Sequence, residues 1–205
     1  MTIDYRKLNN RTIKDSFNLP KIEDILTCLS GAKWFSVLDL KSGYYQVEMD
    51  EKDKEKTAFI CPLGFYEFNR LPQGVTNAPA TFQRLMEKCM SDLLRKGCMV
   101  FLDDLVIYSD TLEKHEKSLE MVFDRLASYG LKLSPAKCKL FQTKVQYLGH
   151  TISQEGISTD NSKIEALKNW KIPQHSKELH SFLGFTSFYR KYVQHYSHIA
   201  QPLQD

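Results

Sequence analysis

Apolar and polar positions change period several times along the chain, and each change marks an element. After Pro20, Ile22, Ile25, Leu26 and Leu29 recur at three- and four-residue intervals, which is the spacing of one helix face. Trp34–Leu38 (WFSVL) is rich in strand formers and runs straight into Asp39. Thr57–Cys61 and Phe65–Asn69 flank Pro62-Leu63-Gly64 and predict a hairpin. A long helix is expected next, with Asn77 as N-cap and Pro79 in the first turn. Phe82, Leu85, Met86, Cys89, Met90, Leu93 and Leu94 make its apolar stripe, and Gly97 ends it. That stripe reads as core and not as a cofactor box.

The segment FLDDLVIY, residues 101–108, predicts a second hairpin turning at Asp103-Asp104. A helix from about Thr111 to Tyr129 follows, with Leu119, Val122, Phe123 and Leu126 on its buried face and Gly130 closing it. Strands are expected at Lys139–Phe141 and Val145–Ile152, with a turn at Gln154-Glu155-Gly156. Helices then cover Asp160–Trp170 and Lys177–Tyr192, the second capped by Ser176. The order β–α–β–β–α–β predicts an α+β fold on a split βαβ (ferredoxin- or RRM-like) sheet, followed by a mainly helical tail.

Composition narrows the class. At 205 residues, 42% hydrophobic and 26% charged, the chain fits one large or two small globular domains. No apolar run approaches the ~20 residues of a membrane span, and the polar start MTIDYRKLNN is not a signal peptide. Cys28, Cys61, Cys89, Cys98 and Cys138 form no C-x-x-C pair, which predicts reduced thiols in an intracellular protein. His195 and His198 lack further ligands nearby and read as packing or solvated residues. The net charge of +3 is uneven: residues 1–131 hold 18 basic against 20 acidic side chains, residues 132–205 hold 10 against 5. The C-terminal third therefore suits a phosphate backbone, or simply presents a solvated basic surface.

The chemistry is concentrated in the acids. Asp103-Asp104 sits between apolar strand segments, where carboxylates are costly unless paired, protonated or bound to metal. The pair suits a hairpin turn, yet two-residue hairpins favour a glycine at positive φ, which leaves a divalent cation as the competing reason. In a split βαβ sheet the end of Trp34–Leu38 lies beside this hairpin, so Asp39 converges on the pair. Three anions at one sheet edge repel one another until cations arrive. Mg²⁺ takes a few carboxylates and fills its shell with water and phosphates, and a pair of ions ~3.5–4 Å apart clamps both oxygens of a phosphoryl transfer.

Seven motifs stand in a recognisable order: DYRKLN at 4–9, LDLKSGYYQ at 38–46, KTAF at 56–59, LPQGVTNAPATFQ at 71–83, FLDD at 101–104, YLGH at 147–150 and LGFTSFYRKYV at 183–193. With them the chain resembles, over essentially its whole length, the reverse transcriptase of gypsy-type long-terminal-repeat retrotransposons and, more distantly, retroviral enzymes. The resemblance implies an RNA-directed DNA polymerase: a palm, fingers and the start of a thumb. Its partners would be an RNA or DNA template with primer, deoxynucleoside triphosphates and the protease, ribonuclease H and integrase of a pol polyprotein, with no membrane. It implies two Mg²⁺ ions, replaceable by Mn²⁺, on Asp39, Asp103, Asp104 and the Leu40 carbonyl.

The resemblance assigns the other residues as well. Arg6, Gly43, Tyr44 and Gln73 would bind the incoming triphosphate, Tyr44 as the aromatic that collides with a ribose 2′-hydroxyl. Leu102 would touch the primer end, Tyr147, Leu148 and Gly149 would form the primer grip, and Lys137 is a candidate general acid for pyrophosphate.

Two departures qualify it. Phe101 replaces the usual tyrosine before the acids, and the family's fingers segment preceding DYR, with its triphosphate-gripping cation, is missing. The expected division is therefore 1–155 for N-terminally incomplete fingers plus palm, and 156–205 for the start of the thumb or connection region. The expected location is intracellular: cytoplasm, virus-like particle or nucleus. An inactive or co-opted relic that keeps the fold and binds nucleic acid is the alternative. An RNA-recognition module fits less well, because it would carry aromatics where this chain has acids.

Overall fold

In the computed structural model, residues 3–203 are described. The elements are α1 (Arg6–Arg11), α2 (Ile22–Leu29), β1 (Trp34–Asp39), α3 (Glu51–Lys54), β2 (Phe59–Cys61), β3 (Gly64–Tyr66), α4 (Ala78–Met90), β4 (Cys98–Phe101), β5 (Asp104–Ser109), α5 (Leu112–Ser128), β6 (Lys139–Gln142), β7 (Lys144–Tyr147), β8 (His150–Ser153), β9 (Gly156–Thr159), α6 (Asn161–Lys168), α7 (Ser176–Phe188) and α8 (Tyr196–Ala200). The central sheet has the order β4-β5-β1-β6, antiparallel throughout. Taken as β1–α4–β4–β5–α5–β6, it is the expected split βαβ arrangement, with the β2–β3 hairpin inserted before α4.

Alternation along the strands gives this sheet two covered faces. Leu105 and Ile107 of β5, with Leu38 of β1 and Val100 of β4, meet Phe82, Met86, Cys89 and Met90 of α4 and Leu119, Val122 and Leu126 of α5. Val106 and Phe35 point the other way, onto Ile25, Leu26 and Leu29 of α2 and Val145, Tyr147 and Ile152 of the β7-β8-β9 sheet. Each fully buried Leu, Ile, Met or Phe contributes about 1.5–3 kcal/mol by leaving water. The sheet is thus clamped from both sides, and its edge loops are free to carry chemistry.

Several expectations need correction. The FLDDLVIY hairpin turns at Leu102-Asp103, because Asp104 already pairs with Phe101 and Asp39. Leu102 takes φ +56°, the conformation for which two-residue hairpins usually use glycine. The strand expected over Val145–Ile152 breaks at Leu148-Gly149 (φ +47° and +75°), so β7 and β8 form a hairpin in which Tyr147 faces His150. β9 was not anticipated; it pairs with β8, Ser153 opposite Gly156.

The β2–β3 hairpin is shorter than expected. Thr57 lies in a 3-10 turn, where its hydroxyl donates to the Lys54 carbonyl (2.6 Å) and accepts from the Phe68 N–H (2.9 Å). On α5 the inward place goes to His115, while Phe123 is exposed. Asn77 does not cap α4 with its side chain; it bonds the Ile13 carbonyl and the Asp15 N–H instead. The cap of α7 is His175, with Ser176 already helical, and that helix ends at Phe188 before a 3-10 turn over Arg190–Tyr192. Asp160 caps α6, accepting from the Ser162 N–H. All five cysteines are free. No helix among the described residues is long and apolar enough to cross a membrane.

Candidate active site

The sheet register brings the acids together. β1 ends and β5 begins at one edge of the sheet, and their antiparallel pairing sets Asp39 opposite Asp104. Asp103 precedes Asp104 in the turn. The main chain leaving β1 is pinned, since the Asp39 carbonyl accepts from the Ser134 N–H and the Lys41 N–H donates to the Lys132 carbonyl, both at 2.9 Å. These bonds flank the Leu40–Leu133 bridge, so the Leu40 N–H and carbonyl face away from it. Burial pushes the Asp104 carboxyl above the usual range, and the Asp103 and Asp39 carboxylates push it further.

Those groups define what the edge would take. Three carboxylates with a raised pKa among them are oxygen donors short of a cation, which is the donor chemistry of a hard divalent ion. Among the described residues no three His, Cys, Asp or Glu side chains are gathered into a ready cage. A divalent ion here would need further oxygens from water or phosphate. Lys137, on the 3-10 turn Pro135–Lys137, supplies the local positive charge, its Nζ 3.5 Å from Asp39 Oδ1. Its Lys137 end is largely solvated, so the pair adds little stability.

One wall of the edge is built by Gly43, Tyr44 and Phe82. A Cβ on Gly43 would lie 3.0 Å from Phe82 Cζ and 3.3 Å from Asp103 Cβ, so a side chain there would press on the Phe82 ring and the acid turn. Tyr44 packs edge-on against Phe82, ring centroids 5.3 Å apart. Burial, and then the Asp103 charge, raise its hydroxyl pKa.

The acid turn is clamped from beneath by Gln83, a residue that sequence reasoning passed over. Gln83 is fully buried in the apolar face of α4. Its Oε1 accepts from the Leu102 N–H at 2.7 Å, and its Nε2 donates to Glu87 Oε1 at 2.9 Å and to the Val100 carbonyl at 3.3 Å. The readable signal was a polar residue at a stripe position, between Phe82 and Met86.

The remaining expected residues lie on two flanks. Arg6 and Gln73 are both exposed. They are linked through Asn9 of α1, which donates to the Gly74 carbonyl and accepts from the Thr76 N–H, both at 2.8 Å. The Arg6 guanidinium is not turned to the acids. It forks onto Asp4, with Nη2–Oδ2 at 2.6 Å, and this holds the Asp4 carboxyl down at about 2. On the other flank Tyr147 is buried, so its ring faces the core and not a primer. Its hydroxyl donates to the Asp104 carbonyl at 3.3 Å, hooking β7 to the acid strand. Leu148 and Gly149 form the half-buried bend of that hairpin.

Residues 1–152 match the family model described as reverse transcriptase (RNA-dependent DNA polymerase). The chain is 42% identical over 203 residues to the retrovirus-related Pol polyprotein from transposon 297 of Drosophila melanogaster, covering 99% of this chain and 19% of the polyprotein. It is 38% identical over 205 residues to that from transposon gypsy of the same organism, covering 100% of this chain and 20% of the polyprotein. The chain thus spans about one-fifth of the length of these relatives. Its fold superposes on the foamy viral protease-reverse transcriptase dRH in complex with double-stranded DNA with a TM-score of 0.93 at 30% identity, covering 100% of this chain and 36% of the other. The foamy viral protease-reverse transcriptase in complex with RNA/DNA hybrid gives 0.88 at 30% identity, covering 98% and 27%.

Proposed function

The chain belongs to the reverse transcriptase (RNA-dependent DNA polymerase) family, and on that premise we propose that it is the nucleotidyl-transfer part of a retrotransposon Pol polyprotein. It extends a primer 3′-hydroxyl with deoxynucleoside triphosphates on an RNA or DNA template. Residues 1–155 act as palm with part of the fingers, and 156–205 begin the thumb. The observation that carries this reading is the pairing of Asp39 with Asp104, with Asp103 adjacent, at an edge walled by Gly43, Tyr44 and Phe82.

Asp39, Asp103, Asp104 and the Leu40 carbonyl would hold the divalent ions, Mg²⁺ in the cell or Mn²⁺ in its place. When bound, the ions neutralise the phosphates and make the primer hydroxyl a better nucleophile. The protein's own share is positioning. Gly43 lets the triphosphate approach the backbone. Tyr44, braced on Phe82, fills the space a ribose 2′-hydroxyl would need. Arg6 exchanges Asp4 for phosphate oxygens, a fork-to-fork swap available to guanidinium. Gln73 packs on the nucleotide from the loop that Asn9 holds. Leu102 meets the primer end, and the Leu148-Gly149 bend aims its hydroxyl. Lys137, beside Asp39, donates a proton to departing pyrophosphate. Five free cysteines support an intracellular setting, in cytoplasm, virus-like particle or nucleus.

Two measurements test the reading: primer extension on an RNA template with Mg²⁺ or Mn²⁺, and Mn²⁺ binding followed by electron paramagnetic resonance. Asp103→Asn keeps size and removes charge, so it should lose Mn²⁺ binding and about a hundredfold or more in extension rate. Extension within a fewfold of the parent would remove the metal assignment. Mn²⁺ binding without extension, even in a longer polyprotein segment, would make the chain a relic that keeps only the fold.

A further inference from the structure

His150 stands in the YLGH motif, and the proposed chemistry leaves it without a role. It lies on β8 opposite Tyr147 and is 2% exposed. Its Nδ1 is 2.9 Å from the Leu148 carbonyl. A carbonyl only accepts, so Nδ1 carries the proton and Nε2 is the bare nitrogen of a neutral ring. Burial holds its pKa below the ordinary value, helped by Lys191 and opposed by the Leu148 bond. Nε2 is buried and has no hydrogen-bond partner in the chain. The ring is boxed by Phe188, Tyr189 and Tyr192 at centroid distances of 5.4, 5.9 and 5.9 Å, all from the end of α7 and the turn after it.

Packing alone is a poor reason for a histidine here. A phenylalanine would fill the aromatic box without burying an unpaired nitrogen, which is a net cost. What histidine adds is the Nδ1–H donor. The bend it serves is strained, with Leu148 at φ +47°, a conformation that side-chain residues hold only when their surroundings impose it. The second carbonyl of the bend is also taken: the Tyr189 hydroxyl donates to Gly149 at 3.0 Å. The two carbonyls of the bend are thus fixed from two directions, by the strand that follows it and by the end of α7. Tyr147, at the other side of the bend, is hooked to the Asp104 carbonyl.

We infer that His150 and Tyr189 are positioning residues, a latch that sets the Leu148-Gly149 bend and fastens it to α7, so that the bend, the helical tail and the acid strand keep one register. The inference rests on the reading of that bend as the primer grip. It takes no part in the bond-making step. Its consequence is kinetic: an unlatched bend leaves the primer hydroxyl misaimed while nucleotide binding is untouched.

The test uses three substitutions in the full chain. His150→Phe keeps the ring and removes the donor, Tyr189→Phe removes only the hydroxyl, and His150→Asn restores a donor near the Nδ1 position. Amide hydrogen exchange at residues 147–150 is read without nucleic acid, and primer extension is read as kcat and KM. In both Phe variants the bend should exchange about tenfold faster, the factor set by one ordinary hydrogen bond, with β4 and β5 unchanged. The value of kcat should fall about tenfold with nucleotide KM held within about twofold. His150→Asn should recover most of both, and the double variant should lose less than the product of the singles, as coupled residues do. Unchanged exchange in the Phe variants, or His150→Asn as impaired as His150→Phe, would overturn the latch and leave His150 as packing. A parent chain that extends no primer would count against the polymerase reading alone, because the exchange readout still judges the latch.

Discussion

Removing the Gln83 carboxamide should damage catalysis more than its distance from the reacting groups suggests. Gln83→Leu keeps the volume, so no cavity opens in the α4 face, and the loss is confined to hydrogen bonds. The Leu102 N–H loses a 2.7 Å acceptor and the Val100 carbonyl a donor at 3.3 Å. Stranding one such amide costs about 1–3 kcal/mol, and Leu102, at φ +56°, already holds strain of about 1–3 kcal/mol that the clamp opposes. We expect a stability loss near 2 kcal/mol, read as a fall in Tm of about 4–8 °C for a chain of this size. Each 1.4 kcal/mol of lost bias lets the turn leave its geometry about tenfold more often, so kcat should fall about ten- to a hundredfold with nucleotide KM little changed. Gln83→Glu is the companion variant. It keeps an acceptor for Leu102 but sets a buried carboxyl against Glu87, where the glutamine donates at 2.9 Å. Burial and Glu87 raise the introduced carboxyl's pKa in the folded state, so its destabilisation is present at high pH and relieved as pH falls through that pKa. Thermal melts at pH 5 and pH 8, with single-turnover extension, measure all of this. A Gln83→Leu protein melting within about 1 °C of the parent and extending within about twofold would refute the clamp.

Three further outcomes follow from the same geometry. Tyr44→Val removes the ring braced on Phe82, so ribonucleotide use should rise while deoxynucleotide use falls modestly; an unchanged ratio of the two efficiencies would assign Tyr44 to packing. Gly43→Ala places a Cβ 3.0 Å from the buried Phe82 ring and 3.3 Å from Asp103 Cβ; it should cost about 1–3 kcal/mol in urea unfolding and displace the acid turn, and a parent-like unfolding midpoint would show that the wall yields. His115 is buried, with Nε2 2.7 Å from Ser36 Oγ and Nδ1 2.8 Å from Ser109 Oγ, and burial lowers its pKa. A histidine held neutral contributes stability above the unfolded value of ~6.5 that is lost as pH falls through the folded one, so unfolding free energy should drop below about pH 6.5, and a His115→Gln variant that drops just as steeply would exclude His115 as the cause.

What the chain discloses in sequence depends on whether a residue is chosen for its own neighbourhood or for a distant one. α2, β1, α4 and α5 were legible because an apolar period reports which face is buried, and that is local information. Asp39, Asp103 and Asp104 were legible because acids at the ends of apolar strands contradict their surroundings. Their meeting followed from the element order, which fixes β1 beside β5. The bends at Leu102 and Leu148 were not legible. Leucine gives no turn signal, and the groups that hold each bend, Gln83 at Leu102 and His150 with Tyr189 at Leu148, are side chains that the local pattern does not mark as turn partners. Phe123 was placed inward on periodicity alone, yet His115 takes that side because Ser36 and Ser109 wait for it on the sheet. Arg6 was expected at the phosphates, but a neighbour two residues away takes its fork first. The motif order named the family's residues without saying which of them are already engaged.

The strained bends share a construction that ties fold to function. Of the non-glycine residues at positive φ, Ser42 precedes Gly43, Leu102 precedes Asp103 and Leu148 lies in the proposed grip. At two of them the neighbouring peptide groups are held by side chains of packed elements, Gln83 of α4 at Leu102, and His150 with Tyr189 at the end of α7 around Leu148. A relaxed turn would have many near-equal shapes, whereas a strained one held by directional bonds has one, and phosphoryl transfer rewards fixed placement over added contacts. Each of these two bends also adjoins one of the sheet's two cores. Gln83 sits in the face that packs on Leu38, Leu105 and Ile107, and Tyr147 in the one that packs on Phe35 and Val106. Rigidity generated by apolar burial is therefore delivered to the acid edge through a few buried hydrogen bonds. Polar substitutions inside these cores should consequently cost activity out of proportion to stability, while truncations of the same size on the outer faces of α5, such as Phe123→Ala, should leave both nearly unchanged.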